Sequence, residues 1–316
     1  MTSTAITLAS ESHELDHHGT NPSSWVQTWL ATLKPNTATA YRRDLTDLAT
    51  FLEIDTLGNL AATVLAAGHA DATNAIERYK VHLIAQELSP ATINRRLSAI
   101  RSLVRHAHEG GLIPWVVSTK GLKTVGYRDT SGPGVDAVRT IVQSLEADSP
   151  KATRDRALVR LMFDMGLRRG EVVALDLADI DLEERKAAVI GKGQREATPL
   201  TIPAKTAQAI AAWLTHRGNQ PGPLFTNLDR AGKGSRLTGR SVGRIVTQLG
   251  ELNGTATVRP HGLRHSAITH VLDQTNGNMR AARKFSRHAK IETLGVYDDN
   301  REDVGGELAA MISEAI

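Results

Sequence analysis

Apolar residues recur at helical spacing along almost the whole chain, and strand-like alternation replaces that pattern convincingly at one place. There, Ala187–Ile190 and Ala197–Ile202 flank Gly191-Lys192-Gly193-Gln194, which predicts a β-hairpin with glycines at its turn. Such a chain folds mainly as packed helices with one small antiparallel sheet. Aromatic residues are only 4% of the 316 residues, so the cores must be built from Leu, Ile, Val and Ala, a palette that leans helical. The length favours roughly two domains.

The helical pattern runs from Pro22 to about Leu112 in five segments. The first carries Trp25, Val26, Trp29, Leu30 and Leu33 on one face. Asn36-Thr37 begins the second, with Tyr41, Leu45, Leu48 and Phe51 at helical spacing. Gly58 and Gly68 bracket a short third helix, and a fourth runs near Ala72–Glu87. Ser89-Pro90 begins the fifth, which uses Ile93, Leu97, Ile100 and Val104 and ends at Gly110-Gly111. Residues 1–20 are polar, rich in Ser, Thr and His, and without periodicity, which predicts a disordered tail. Residues 118–134 mix Gly, Pro, Ser, Thr and basic residues and predict a linker. The expected organisation is therefore tail 1–20, helical domain 21–117, linker 118–134 and a mostly helical second domain 135–316. Its last helix carries an apolar stripe of Leu308, Met311, Ile312 and Ala315.

The other face of the fifth helix carries Arg95, Arg96, Arg101 and Arg105, and Ser89–Thr130 holds seven Lys/Arg against two acidic residues. With a net charge of +4 and a pI of about 9.4, this predicts a surface for a nucleic-acid backbone. The absence of cysteine excludes disulfides, thiolate zinc sites and cysteine nucleophiles. No apolar run is long enough to cross a membrane and no signal-peptide core is visible, so a soluble protein of a reducing cytoplasm is expected.

Six residues scattered over the second domain carry the chemistry: Arg168, Lys192, His261, Arg264, His288 and Tyr297. Paired guanidiniums can clamp the non-bridging oxygens of a phosphate under attack. A lysine can protonate a leaving alkoxide. A phenol must lose a proton to attack, and an imidazole can accept it. Arg168 sits in Met165-Gly-Leu-Arg-Arg-Gly-Glu-Val, at a helix junction. His261 and Arg264 lie one turn apart in His261-Gly-Leu-Arg-His-Ser. Tyr297 lies nine residues past His288.

With these motifs the chain resembles the tyrosine recombinase (phage integrase) family in its simple Xer- and Cre-like two-domain form. That family has an Arg after Gly-Leu, a Lys in a Gly-Lys-Gly turn, His-x-x-Arg, a His or Trp, and the Tyr, in this order. The first domain adds Asn36-Thr-Ala-Thr-Ala-Tyr-Arg-Arg-Asp-Leu and Ser89-Pro-Ala-Thr-Ile-Asn-Arg-Arg-Leu. The resemblance implies an N-terminal helical, SAM-like core-DNA-binding domain and a C-terminal, mostly helical catalytic domain. It implies Tyr297 as nucleophile, Arg168 and Arg264 on the scissile phosphate, and Lys192 as general acid. His261 would be the base or an orienting donor, His288 a further phosphate donor, and Glu171 the residue that orients Arg168. No metal, ATP or other cofactor is expected. The implied partners are a double-stranded core site with inverted repeats, clamped by the two domains, and further copies of the chain. The copies would form a dimer on each site and a tetramer in synapsis, with an accessory directionality factor. The chain would act in the cytoplasm, on the nucleoid.

The sequence departs from the family at two points. Arg287 stands where the family writes glycine in Leu-Gly-His, and Arg169 follows Arg168, although the spacing to Lys192 favours Arg168 as the phosphate ligand. Three rivals are a catalytically inactive DNA-binding regulator of the same fold, a type IB topoisomerase, and a metal hydrolase built on His261, His265 and His270. Against the last, no Glu follows His261, and Arg264 would repel a dication.

Overall fold

The computed structural model describes residues 22–123, 132–191, 193–255, 258–295, 297 and 304–315. The tail expected at 1–20, the middle of the expected linker and Lys192 lie outside the described residues. The chain divides into two compact units, Met1–Val125 and Gly126–Ile316.

In the first unit the described helices are α1 (Pro22–Thr32), α2 (Pro35–Phe51), α3 (Leu57–Ala66), α4 (Gly68–Ala85) and α5 (Pro90–Glu109). Their starts follow local chemistry. Proline opens α2 and α5, where a missing N–H costs nothing. The Ser89 hydroxyl accepts from the Thr92 N–H, and Thr56 does the same for Asn59 at α3. The Thr56 cap moves the start of α3 ahead of Gly58, which lies inside the helix and is buried rather than bracketing it. The core brings together Val26, Trp29, Leu45, Leu48, Ile76, Tyr79, Leu97 and Ile100, from every helix but α3, which adds Leu60 and Val64.

The second unit runs α6 (Gly134–Gln143), α7 (Pro150–Asp164), α8 (Arg169–Ala174), β1 (Ile180–Asp181), β2 (Lys186–Ile190) and β3 (Ala197–Thr201). It continues with α9 (Ala204–Arg217), α10 (Gly239–Leu252), α11 (Pro260–Gln274), α12 (Met279–Ser286) and α13 (Val304–Glu314). The expected hairpin is β2–β3, antiparallel, with Ala187 opposite Leu200 and Val189 opposite Thr198. Ala187 and Val189 face the core. The sheet has order β1-β2-β3. At two residues, β1 is too short for alternation to register in a sequence.

Two apolar clusters organise this unit. The larger centres on α7, where Leu158, Leu161 and Met162 meet Trp213 of α9, whose indole donates to the Leu224 carbonyl at 2.8 Å. The smaller joins Ile268 and Leu272 of α11, Ala282 of α12, Leu294 and Tyr297. Helix α11 is therefore buried continuously from Leu263 to Thr269. At its start the chain entering the unit passes so close that Gly132 has no room for a Cβ against Gly262 and Ser266. The Gly134 N–H donates to the Ser266 hydroxyl at 2.9 Å there. No helix among the described residues is long and apolar enough to cross a membrane.

Candidate active site

Arg168 is the residue on which α8 begins. Its extended backbone lets the Glu171 carboxylate reach back over the first turn. Glu171 accepts from the Arg168 N–H at 2.9 Å and from its guanidinium at 2.8 Å. The carboxylate is buried, while the Arg168 side chain remains 27% exposed, so the arginine is anchored at one edge and open at the other. Arg169 turns away and lies over Gly239 and Gly243 of α10.

Arg264 enters from α11 and is 1% exposed. Its guanidinium donates to the carbonyls of Gly166 and Ser286. It thereby fixes the loop before Arg168 to the end of α12. Gly166 accepts that bond in the left-handed region, at φ 55°, with Phe285 packed where a Cβ would lie. Removal from water, reinforced by the charges of Arg168 and Arg287, pulls the Arg264 guanidinium down to about 10. It remains charged at neutral pH.

His288 follows α12, and its Nδ1 lies 2.7 Å from the Ser286 hydroxyl. Arg283 holds the same segment by donating to the carbonyls of His288 and Ala289 at 3.2 and 2.9 Å. Burial, then the charges of Arg264 and Arg168, lower the His288 imidazole to about 4, so it is neutral at physiological pH. His261, on the first turn of α11, is also lowered, by desolvation and then by Arg264 and Arg168. Both imidazoles thus feel the guanidiniums as neighbours. The Tyr297 ring lies tilted against its neighbours, 4.6 Å from His265 and 5.6 Å from His288.

The structure therefore brings together Arg168, Glu171, His261, Arg264, His288 and Tyr297 within one unit; Lys192 lies outside the described residues. Two further members were not assigned this role from sequence. His265 is fully buried, with Thr269 Oγ1 3.3 Å from its Nδ1, and it backs the Tyr297 ring. Arg287 shares the Glu171 carboxylate at 2.9 Å; its place in the family's glycine position was the visible signal. Three guanidiniums stand against one carboxylate, an excess of positive charge suited to an anion.

The four arginines of α5 divide. Arg95 pairs with the buried Asp44, and Arg96 with Asp47, which also accepts from the Tyr79 hydroxyl. Arg101 donates to the Thr119 carbonyl at 3.2 Å and the Ser98 hydroxyl at 3.0 Å. Arg95 and Arg105 are exposed, whereas Arg96 and Arg101 are half-buried.

Residues 135–303 match the phage integrase family, and residues 26–110 match the phage integrase N-terminal SAM-like domain. A tyrosine recombinase of Synechocystis sp. is 38% identical over 287 residues, 89% of this chain and 92% of that one. The tyrosine recombinase XerC of Chromohalobacter salexigens is 31% identical, covering 83% of this chain and 85% of its own. Among solved structures, a lambda integrase dimer bound to a core site aligns with a TM-score of 0.64 at 17% identity, over 88% of this chain and 96% of that one. XerH bound to a palindromic difH substrate, after cleavage, aligns at 0.62 and 19% identity, over 88% and 78%. The likeness in structure extends to the fold, and the matched residues reach across both units. This chain belongs to the phage integrase family of tyrosine recombinases.

Proposed function

We propose that this protein is a site-specific DNA recombinase that cuts and rejoins strands through a 3′-phosphotyrosyl intermediate. The observation that carries the reading is that the Arg168 and Arg264 guanidiniums act together on His288, against which the Tyr297 ring lies, in a chain of this family. The Tyr297 hydroxyl attacks the scissile phosphorus and passes its proton to His261. The bond to the 5′-oxygen breaks, and that oxygen takes a proton from Lys192. Arg168 and Arg264 hold the non-bridging oxygens as charge accumulates, and neutral His288 donates a further hydrogen bond. The phosphodiester energy stays in the phosphotyrosyl ester, so rejoining by a 5′-hydroxyl needs neither ATP nor metal.

Exchange between two sites requires two cleaved strands per round and proceeds through a Holliday junction in a tetramer, with a dimer on each inverted-repeat site. Helix α13 supports an assembly role, because Met311 and Ile312 are each 66% exposed. Arg95 and Arg105 are the members of the α5 face best disposed to meet backbone phosphates.

The test is covalent capture in EDTA on a duplex recovered from a randomised library by its binding to the protein. The duplex is nicked so that the freed 5′ end diffuses away. A recombinase leaves an adduct mapped to Tyr297, loses it in Tyr297→Phe, and joins strands between two such sites. Adduct with relaxation of any plasmid, and no joining, indicates a topoisomerase. Binding that never gives an adduct indicates a regulator.

A further inference from the structure

Arg287 occupies a position where glycine is the unstrained choice. It ends α12 at φ 56°, in the left-handed region that terminates many helices and that side chains disfavour. Both terminal nitrogens of its guanidinium are engaged. One nitrogen, Nη2, donates to Glu171 Oε2 at 2.9 Å and to the Gly166 carbonyl at 3.3 Å. The other, Nη1, donates to the carbonyls of Met165 at 3.2 Å and Phe285 at 3.3 Å.

Glu171 meanwhile holds Arg168 with both of its oxygens. One buried carboxylate thus joins the Arg168 junction to the segment that leads from α12 into His288 and Tyr297. Among the described residues no other ion pair connects these two parts of the site. Sharing has an electrostatic consequence as well. A carboxylate divided between two guanidiniums neutralises neither, so Arg168 keeps charge for a phosphate.

Resting on the recombinase reading above, we propose that Arg287 is a positioning residue for strand cleavage, which through Glu171 fixes the Arg168 guanidinium relative to His288 and Tyr297. A plain helix cap predicts the opposite behaviour, because glycine would serve that turn as well or better.

The experiment uses the full chain and the nicked duplex described above, with Arg287→Gly, Arg287→Gln and Arg287→Lys. Binding is measured in the Tyr297→Phe background, and cleavage at saturating DNA as a single turnover. The expected result is unchanged DNA affinity with cleavage slowed about tenfold or more in Arg287→Gly, the scale of a misplaced catalytic group. Arg287→Lys should recover part of the rate, since an ammonium still reaches Glu171. Arg287→Gln keeps a donor for the carbonyls without the charge. If the glycine variant fails to melt cooperatively, slow cleavage by the glutamine variant supports the proposal and wild-type cleavage overturns it. A folded Arg287→Gly that cleaves at the wild-type rate, or one whose affinity falls in step with its rate, overturns it too. Wild-type protein that leaves no adduct overturns the recombinase reading instead.

Discussion

The ring of Tyr297 lies against the ring of His265, with centroids 4.6 Å apart and planes inclined by 35°. Only 5% of the tyrosine is exposed, in a cluster with Ile268, Leu272, Ala282 and Leu294. Packing of the ring and chemistry of the hydroxyl are therefore separable. Tyr297→Phe keeps every ring contact, so its stability should lie within about 1 kcal/mol of wild type. Tyr297→Ala empties the cluster and should cost about 3 kcal/mol. Urea melts read both, and adduct formation should vanish in each. An adduct in Tyr297→Phe would remove this residue as the nucleophile.

His288 gives a dependence on acid whose sign follows from its neighbours. Its folded value of about 4 lies below the 6.5 of a free imidazole. Above pH 6.5 folded and unfolded chains both hold it neutral. Between 6.5 and about 4 only the unfolded chain takes up the proton, so this residue's contribution to stability is lost progressively as pH falls through that window. A histidine NMR titration should place the His288 midpoint near 4 in the free protein. Saturating inorganic phosphate should move it upward, because an anion offsets Arg264, Arg168 and Arg287. A midpoint that ignores phosphate would mean that the anion does not sit among those cations.

Gly166 is the hinge of the site. Its φ is 55°, a Cβ there would fall 2.9 Å from Phe285 Cε1, and its carbonyl receives both Arg264 and Arg287. Gly166→Ala should lower unfolding free energy by about 1–3 kcal/mol, from backbone strain and from the displaced ring. It should also slow cleavage more than binding, since it shifts two guanidiniums at once. A variant as stable and as active as wild type would show that the carbonyl can hold its place without the left-handed turn.

Much of this was legible in the chain because the signals are local. Trp29 and Leu45 repeat at helical spacing and are buried; Ser89-Pro90 marks a helix start; Gly191 and Gly193 mark the hairpin turn. The site residues stood in the order the family requires, and Glu171, one turn past Arg168, was readable as its support. What escaped depends on partners far apart in sequence. Nothing near Arg96 announces that Asp47 holds it, and nothing near Arg287 announces Glu171. Gly58 misled because glycine commonly ends helices, whereas here the Thr56 hydroxyl had already begun one. His265 was visible as an extra histidine beside Arg264, but its contact with the Tyr297 ring was set by the return of the chain after α12.

The divided arginine face of α5 gives a contrast that affinity and stability measurements resolve together. Four equivalent phosphate contacts would make each arginine worth about the same share of the salt dependence. The packing separates them. Arg96 is 15% exposed and tied to Asp47, whose carboxylate also serves the buried Tyr79 hydroxyl. Arg96→Ala should therefore cost about 1–3 kcal/mol of stability, by leaving a partly buried carboxylate short of its partner. Arg105 projects into solvent from the same helix. Arg105→Ala should leave the melt within about 0.5 kcal/mol of wild type. It should weaken binding to the selected duplex at low salt and reduce the slope of log affinity against log salt by about 1, the loss of one phosphate contact. Equal salt slopes for wild type and Arg105→Ala would take this end of α5 off the DNA, whatever the rest of the helix does.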